Sequence, residues 1–360
     1  MNRLLLVSVL SIAACSRGSA PVKIGAAGPW KEAYGLMNRR GIELALEEIN
    51  RDGGVNGHPL EVVMRDDGAD GATAAAIANE FLADRRITAV VGHVNSGTMV
   101  AAARVYDHGL PAVATSATSP DLTGISRWVF RVISSDSANG VQLARFAGQL
   151  GRSRAAILYE NDAYGRGLVE AFRRSFRGDV VSADPIEDTG DQDFEPYVAT
   201  FRRSRPDIVF VATTEAAGIA LLREAQRQRL ASDFLGGDGW TGVVNDPKVA
   251  EGAYVGAPFS AADPRPEVQR FVASFRQKYG VTPDGNAALA YDATRLLAVG
   301  ISEVGASREA LRAWLAALGE PYPGVSGPIS FGVDGDPVGK SFVMTRVRGG
   351  ELVVAAEVRP

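Results

Sequence analysis

Short apolar runs alternate with amphipathic segments along the first third of the chain. The apolar runs have the length of strands, and in the segments between them apolar residues return every three or four positions, as on one face of a helix. The runs lie at 22–27, 60–65, 87–94 and 111–115, and the helical segments at 35–50, 72–84 and 97–108. Strands that alternate with helices predict a parallel sheet with helices on both faces.

A second round of the same pattern begins near Ser134. Its strands are predicted at 155–159, 179–183, 207–213, 233–236 and 253–256, and its helices at 139–150, 165–176, 194–204 and 216–228. Further helices follow at 267–279, 286–304 and 308–318, and strand-like runs at 329–331, 341–346 and 352–358. Asp334-Gly335 and Gly349-Gly350 are turn signals between the last runs. The pattern therefore predicts an α/β fold with two doubly wound lobes.

Composition narrows the classes of function. The length of 360 residues agrees with two domains. The net charge is −4 and no lysine- or arginine-rich cluster is present, so nothing in the composition indicates nucleic-acid binding. Cys15 is the only cysteine and the histidines form no pair at helical spacing, which argues against cysteine redox chemistry and against a metal site. GxGxxG and P-loop patterns are absent, and we expect no cofactor.

Residues 1–20 have the pattern of a signal peptide and a tether. Arg3 precedes an apolar stretch at 4–14, which is too short to span a membrane but fits the core of a signal peptide. The stretch runs into the sequence IAAC, which ends at Cys15 and resembles a bacterial lipobox, where the cysteine is lipidated. An ordinary secretory signal cut after Ala14 or Ala20 is the alternative. We expect a periplasmic, cell-envelope protein that a lipid on Cys15 anchors to the membrane.

The loops after the strands hold the candidate binding residues, because a doubly wound sheet binds ligands at the carboxyl ends of its strands. Ser96 lies where a strand ends and a helix begins, which suits a bound carboxylate, although a simple N-cap by Ser96 or Thr98 is the plainer interpretation of this junction alone. The next strand is followed by a hydroxyl-rich loop at 114–120 with Ser116 and Thr118. That loop is either a ligand contact or a solvent-facing turn.

A carboxylate and three aromatic residues complete the candidate set. Asp238 stands between two glycines at a strand end, where it can meet an ammonium group or serve as an ordinary turn aspartate. Trp30 and Tyr34 precede a helix in the first half of the chain, and Tyr164 does so in the second. Aromatic residues in such loops either wall a pocket or pack on the following helix.

No constellation for catalysis is found. GxSxG is absent, no cysteine follows Cys15, and Asp66 and Asp67 are adjacent, so in a strand they point to opposite faces. An α/β enzyme would need a nucleophile, an acid–base pair or a cofactor loop among the strand ends. We therefore expect a binding protein with no catalytic residues.

Seven stretches in order carry a resemblance to a known family. They are VKIGAAGP (22–29), GIELALEEINRDGGVNGHPLEVVMRDD (41–67), AVVGHVNSGT (89–98), PAVATSATSP (111–120), AILYENDAYGRGL (156–168), PDIVFVATT (206–214) and FLGGDGW (234–240). Together they resemble the leucine/isoleucine/valine-binding proteins of ABC importers, which have the type I periplasmic binding protein fold. The resemblance covers about residues 22–347 and implies two Rossmann-like lobes joined by a three-strand hinge.

The resemblance implies a role for each candidate residue. Ser96 would bind a ligand carboxylate, Asp238 would pair with an α-ammonium group, and Ser116 and Thr118 would bind the ligand's main-chain groups. Tyr34 and Tyr164 would wall the pocket. The chain departs from the family near Thr214, where a pocket tyrosine is missing, so leucine-like side chains are not implied. The family's small disulfide is also absent, with Ala69 and Asn95 at those positions.

The expected lobes are 22–133 with 257–332, and 134–256 with 333–360, with crossovers near Ile133, Gly256 and Gly332. A zwitterion would satisfy both lobes only when they close, and hinge closure of this kind is a general feature of periplasmic binding proteins. We expect a monomer that captures an amino acid, branched-chain or related, and delivers it to an ABC transporter permease. The alternatives are a protein of the same fold that binds an amide, urea or an organic acid, and a ligand-sensing receptor.

Overall fold

The computed structural model describes residues 20–187 and 192–355. The signal segment with Cys15 and the last residues of the run predicted at 352–358 lie outside the described part of the chain. Within the described residues, no helix is both long enough and apolar enough to cross a membrane.

The first lobe is built on a sheet of five parallel strands, β1 (Val22–Gly28), β2 (Leu60–Asp66), β3 (Ile87–Val91), β4 (Ala112–Ala114) and β5 (Val129–Arg131). Their order is β2-β1-β3-β4-β5. Helices connect the first four strands: α1 (Ala33–Arg51), α2 (Gly71–Ala83) and α3 (Ser96–Tyr106). Every residue of β3 is buried, as expected for a central strand with helices on both faces.

The second lobe is built on a seven-stranded sheet. Five parallel strands are β6 (Arg154–Glu160), β7 (Asp179–Ile186), β8 (Ile208–Ala212), β9 (Asp233–Gly236) and β10 (Tyr254–Ala257). The antiparallel strands β13 (Val343–Arg348) and β14 (Glu351–Val354) extend the edge beside β10, in the order β14-β13-β10-β9-β8-β6-β7. The helices are α4 (Asp136–Gln149), α5 (Ala163–Ser175), α6 (Glu195–Ser204), α7 (Glu215–Arg227) and the short α8 (Pro247–Ala250). The predicted α/β fold with two doubly wound lobes is confirmed.

Between β10 and β13 the chain returns to the first lobe. There it forms α9 (Pro266–Tyr279), α10 (Gly285–Val304) and α11 (Arg308–Ala316), and α10 packs along α1. The strand predicted at 329–331 is in fact β12 (Gly327–Ile329), which pairs with an unpredicted β11 (Tyr322–Gly324) as a separate hairpin. The hairpin turn is held by Asp292, whose carboxylate accepts the N–H groups of Val325 and Ser326 at 2.8 Å each.

The chain passes between the lobes three times, after β5, after β10 and after β12. The third crossing is fixed at both ends. On the first-lobe side, Asp336 accepts hydrogen bonds from the Arg131 guanidinium at 2.7 and 2.8 Å, and Arg131 is 2% exposed. On the second-lobe side, Phe342 exchanges two backbone hydrogen bonds with the side chain of Gln142 on α4, at 2.7 and 2.9 Å. We name the segment from Asp336 to Phe342 the crossing ribbon.

Candidate functional site

A cavity of about 60 Å³ lies between the carboxyl ends of the two sheets. It is lined by Tyr34, Val94, Asn95, Ser96, Ser116, Asp162, Tyr164, Thr214, Asp238, Gly239 and Asn286. The lining includes five of the seven residues selected from the sequence, namely Ser96, Ser116, Asp238, Tyr34 and Tyr164. Among the described residues that line it there is no lysine or arginine.

Ser96 presents a hydroxyl proton to this cavity. It is the first residue of α3 and is 3% exposed. Its Oγ accepts N–H groups from Thr118 at 3.1 Å and from Ser119 at 3.0 Å. Since a hydroxyl has two lone pairs and one proton, the proton is what remains for a further partner. Beside it, the positive end of α3 adds a favourable field for an anion.

Ser116 is tied to the distant helix α10. Its hydroxyl donates to Asn286 Oδ1 at 2.8 Å. Asn38 on α1 supports the same corner, because its Nδ2 donates to Thr115 Oγ1 at 2.8 Å and to the backbone oxygen of Asn286 at 3.4 Å. The sequence analysis missed Asn286, since only the folded chain brings position 286 beside 116.

Two of the selected residues do not line the cavity. The side chain of Thr118 is fully buried, and among the described residues its Oγ1 has no hydrogen-bond partner. The backbone N–H of Thr118 holds Ser96, so this residue positions the site from behind. Trp30 packs over Gly28 and against the first-lobe core rather than walling the pocket.

Asp238 presents a carboxylate from the second lobe. It begins a short 3₁₀ helix (Asp238–Asn245) after β9 and is 9% exposed. Its Oδ1 is buried without a hydrogen-bond partner in the part of the chain that the structure describes. Burial raises the pKa of Asp238 to about 7, although a backbone N–H and the Tyr164 hydroxyl act to lower it. An uncompensated carboxylate of this kind needs a cationic or donor partner.

A second buried carboxylate, Asp136, stands close to Asp238. Both of its oxygens lack a hydrogen-bond partner among the described residues, and it is fully buried. Burial and the charge of Asp238 raise the pKa of Asp136 well above its usual range, while Thr118, Arg131 and Asn139 act to lower it. In the sequence, Asp136 is an ordinary acidic residue in the first turn of α4, so no signal marked it.

The loop that carries Asp238 is anchored by a buried tryptophan. Trp240 is fully buried, and its indole Nε1 donates to Thr213 Oγ1 at 3.1 Å. Gly236 and Gly218 leave room for the ring, because a Cβ at either position would lie within 2.5 Å of a ring atom. The Tyr164 hydroxyl accepts the N–H of Gly239 at 3.2 Å, which fixes the other side of Asp238.

The remaining second-lobe wall is also held by side-chain hydrogen bonds. Glu160 Oε1, at the end of β6, accepts the backbone N–H of Thr214 at 2.9 Å and its hydroxyl at 2.8 Å. Asp162 caps α5 by accepting the N–H of Gly165 at 2.7 Å. Neither Asp162 nor Thr214 was selected from the sequence as a lining residue.

Acidic groups of both lobes meet close to Thr214 and Asn286. Burial, with the charges of Asp284 and Glu32, raises the pKa of Glu215 to about 7. Glu215 begins α7 in the second lobe, whereas Asp284 and Glu32 are the N-cap residues of α10 and α1 in the first. Like charges from the two lobes therefore oppose each other here.

Comparison with known proteins identifies the family of this chain. The sequence model of a family described as periplasmic binding proteins matches residues 21–351. An amino acid binding protein of Pseudomonas aeruginosa is 31% identical over 337 residues, covering 88% of this chain and 87% of that protein. A leucine-, isoleucine-, valine-, threonine- and alanine-binding protein of the same bacterium is 29% identical over 326 residues, covering 85% and 86%.

Among solved structures, an ABC transporter substrate-binding protein of Desulfitobacterium hafniense in complex with Leu is 33% identical. It superimposes with a TM-score of 0.81 over 93% of this chain and 100% of that one. Proteins of this family are the substrate-binding components of ABC transporters, so the prediction of a binding protein rather than an enzyme is confirmed. The chain belongs to the periplasmic binding protein family, among the type I Leu/Ile/Val-binding proteins.

Proposed function

We propose that this protein binds a free amino acid in the cavity between its lobes and delivers it to the permease of an ABC importer. The observation that carries the proposal is that one wall of the small cavity favours a negative group and the opposite wall favours a positive one. The Ser96 hydroxyl proton and the positive end of α3 face it from the first lobe, and the unpartnered Oδ1 of Asp238 faces it from the second. A zwitterion offers a carboxylate to the former and an ammonium group to the latter.

Each selected residue has a place in this proposal. Ser96 binds the carboxylate, and Ser116, whose hydroxyl proton goes to Asn286, accepts a hydrogen bond from a donor of the ligand. Asp238 pairs with the ammonium group, and the carboxyl group of Asp136 lies close to it. Tyr34 and Tyr164 form walls. Thr118 and Trp30 support the loops without lining the cavity.

Because the two halves of the site belong to different lobes, the ligand gains its full set of contacts only when both are in place. Binding free energy then favours closure of the lobes around the three crossings, which we place near Ile133, Gly256 and Gly332. Membership of the family implies an extracytoplasmic location. We further propose that the protein is a monomer and that its closed form is what the permease recognises.

Titration calorimetry of the mature protein tests the proposal with L-amino acids, their des-amino analogues, urea and benzoate. We expect one or more L-amino acids to bind, their des-amino analogues to bind poorly, and the radius of gyration from small-angle scattering to fall on saturation. Binding of urea or benzoate with no amino acid bound would contradict the proposal, and an unchanged radius with ligand bound would contradict closure.

Amino-acid affinity should fall as the pH falls below 7. The Asp238 carboxyl, whose pKa is about 7, must be ionised to pair with an ammonium group, so binding below that pH releases a proton. The dissociation constant should rise by about tenfold per pH unit between pH 6 and 5. Calorimetry in buffers of different ionisation enthalpy measures the released proton directly.

The direction in which affinity changes with pH distinguishes Asp238 from Glu215, whose pKa is also about 7. Protonation of Glu215 relieves repulsion between the lobes and would raise affinity at low pH. Asp238→Asn should abolish the fall in affinity, whereas Glu215→Gln should preserve it. Affinity that rises on acidification would contradict the assignment to Asp238.

We also propose that Cys15 carries the membrane anchor, on the IAAC sequence that ends there. Mass spectrometry of protein from the native membrane should show a diacylglyceryl group on Cys15. Cys15→Ala should release the protein from the membrane fraction. An unmodified N-terminus at Pro21 would show instead that an ordinary secretory signal is removed.

A further inference from the structure

The part of the cavity left for the ligand's side chain combines polar groups with the aromatic walls of Tyr34 and Tyr164. Once Ser96 and Asp238 are assigned to the main-chain groups of the ligand, the walls that remain include Val94, Asn95, Thr214 and Asn286. Of the described lining residues, Val94 is the single aliphatic side chain. Pockets for aliphatic groups are lined mainly by hydrophobic and aromatic side chains, whereas here polar side chains stand beside the two tyrosines.

Three side chains on these walls present hydrogen-bond acceptors. Asn95 Nδ2 donates to the Tyr34 hydroxyl at 2.9 Å, and its Oδ1 is buried without a hydrogen-bond partner among the described residues. The Thr214 hydroxyl proton goes to Glu160, and the Ser116 hydroxyl proton goes to Asn286. Each of these two hydroxyl oxygens therefore keeps lone pairs but has no proton left to give.

The orientation of the Asn95 amide decides whether this residue offers an acceptor or a donor, but the residue is polar in both cases. If its oxygen and nitrogen exchanged places, the Tyr34 hydroxyl would face Oδ1 and the NH₂ group would face the cavity. One polar end of the amide would still be buried without a partner, which is unfavourable until a ligand group satisfies it. Either orientation selects for a polar ligand side chain.

The cavity is also small. At about 60 Å³ it has less than half the volume of an engineered apolar cavity of about 150 Å³ that admits benzene. The main-chain atoms of an amino acid take up most of that space, which leaves room for a short side chain.

We propose that the preferred ligand is an amino acid with a short side chain that carries a hydrogen-bond donor, a hydroxyl or a carboxamide, and that Asn95 and Thr214 determine this specificity. The proposal rests on the proposed function, because it takes the amino-acid main chain as bound by Ser96 and Asp238. It places serine, threonine and asparagine above valine, isoleucine and leucine.

Isosteric ligand pairs test it by titration calorimetry on the mature wild-type protein. L-Threonine and L-valine have the same shape and differ by a hydroxyl in place of a methyl group, and L-asparagine and L-leucine form a similar pair. Threonine should bind at least tenfold more tightly than valine, the equivalent of about 1.4 kcal/mol. Asparagine should likewise exceed leucine, since an apolar group would leave the buried acceptor unsatisfied.

Variants then identify the residues responsible. Asn95→Leu and Thr214→Val remove the polar groups with little change of volume, and each should lower the threonine-to-valine affinity ratio by about fivefold or more, mainly through weaker threonine binding. Thr200→Val is the matched control, because it makes the same chemical change on α6, and Thr200 does not line the cavity. A melting temperature for each variant shows whether it is folded.

The outcomes distinguish the two proposals. Valine or leucine bound more tightly than threonine and asparagine would overturn this inference while the proposed function stands, and so would lysine or arginine as the tightest ligand. If benzoate or urea binds and no amino acid does, the proposed function falls and this inference falls with it. An unchanged threonine-to-valine ratio in both folded variants would overturn the assignment to Asn95 and Thr214.

Discussion

Replacement of Asp238 by alanine should weaken amino-acid binding by about a hundredfold or more. In the proposed complex, the carboxylate pairs with the ligand's ammonium group, and Asp238 is only 9% exposed. Removal of one partner of a buried ion pair leaves the other charge uncompensated, at a cost of about 3–5 kcal/mol. Each 1.4 kcal/mol is a factor of about ten in the dissociation constant.

Three controls sharpen this prediction. Ser96→Ala should weaken binding less, because the positive end of α3 still faces the carboxylate. A des-amino analogue should bind the wild type poorly but lose little further affinity in Asp238→Ala. Asp238→Ala should keep the melting temperature of the ligand-free protein, since it removes a buried carboxylate whose Oδ1 has no partner among the described residues. Wild-type affinity in Asp238→Ala would mean that the ligand has no ammonium group to pair.

Asp336→Ala should lower the free energy of unfolding by about 3–5 kcal/mol, because it strips a buried guanidinium of its counter-charge. Arg131 is 2% exposed and meets Asp336 through two hydrogen bonds at 2.7 and 2.8 Å. Its other partners are the backbone oxygen of Ser119 and the hydroxyl of Thr123, both neutral. Urea denaturation of the ligand-free protein measures the loss.

The matched control is an exposed ion pair. Glu43→Ala removes the partner of Arg39 on the surface of α1, at 2.7 Å, and should cost no more than about 1 kcal/mol. The double variant Arg131→Met with Asp336→Leu should recover much of the stability, since neither charge then stays buried. A loss below about 1 kcal/mol in Asp336→Ala would show that water reaches Arg131.

The alternation of apolar runs with helical segments was sufficient to predict most of the sheet strands and helices, because parallel strands and amphipathic helices have different periods. The strands it missed, β5 and β11, have three residues each, too few for any period to show. The strand predicted at 329–331 was placed two residues too late for the same reason, because β12 (Gly327–Ile329) also has only three residues. Short strands take their pairing from the tertiary structure rather than from their own sequence.

For the site, the rule that ligands bind at the carboxyl ends of strands selected loops whose residues do line the cavity. It did not predict which way a side chain within a loop points, so Thr118 and Trp30 were included although they face the protein interior. It also missed Asn286, which lines the cavity, and Asp136, which lies close to Asp238, because both stand at the start of a helix rather than at the end of a strand.

The crossing ribbon has a consequence for the balance between conformations. Asp336 holds its first end to one lobe, Val338 donates its N–H to the Ser330 oxygen, and Phe342 holds its last end to the other lobe. Bending in this connection therefore falls on residues 339–341, which include Gly339 at φ 72°. In the proposed closure, a short connection that is fixed at both ends would help to set the relative populations of open and closed protein before any ligand arrives. Since apparent affinity scales with the population that is competent to bind, residues that never touch the ligand can tune how tightly it is held.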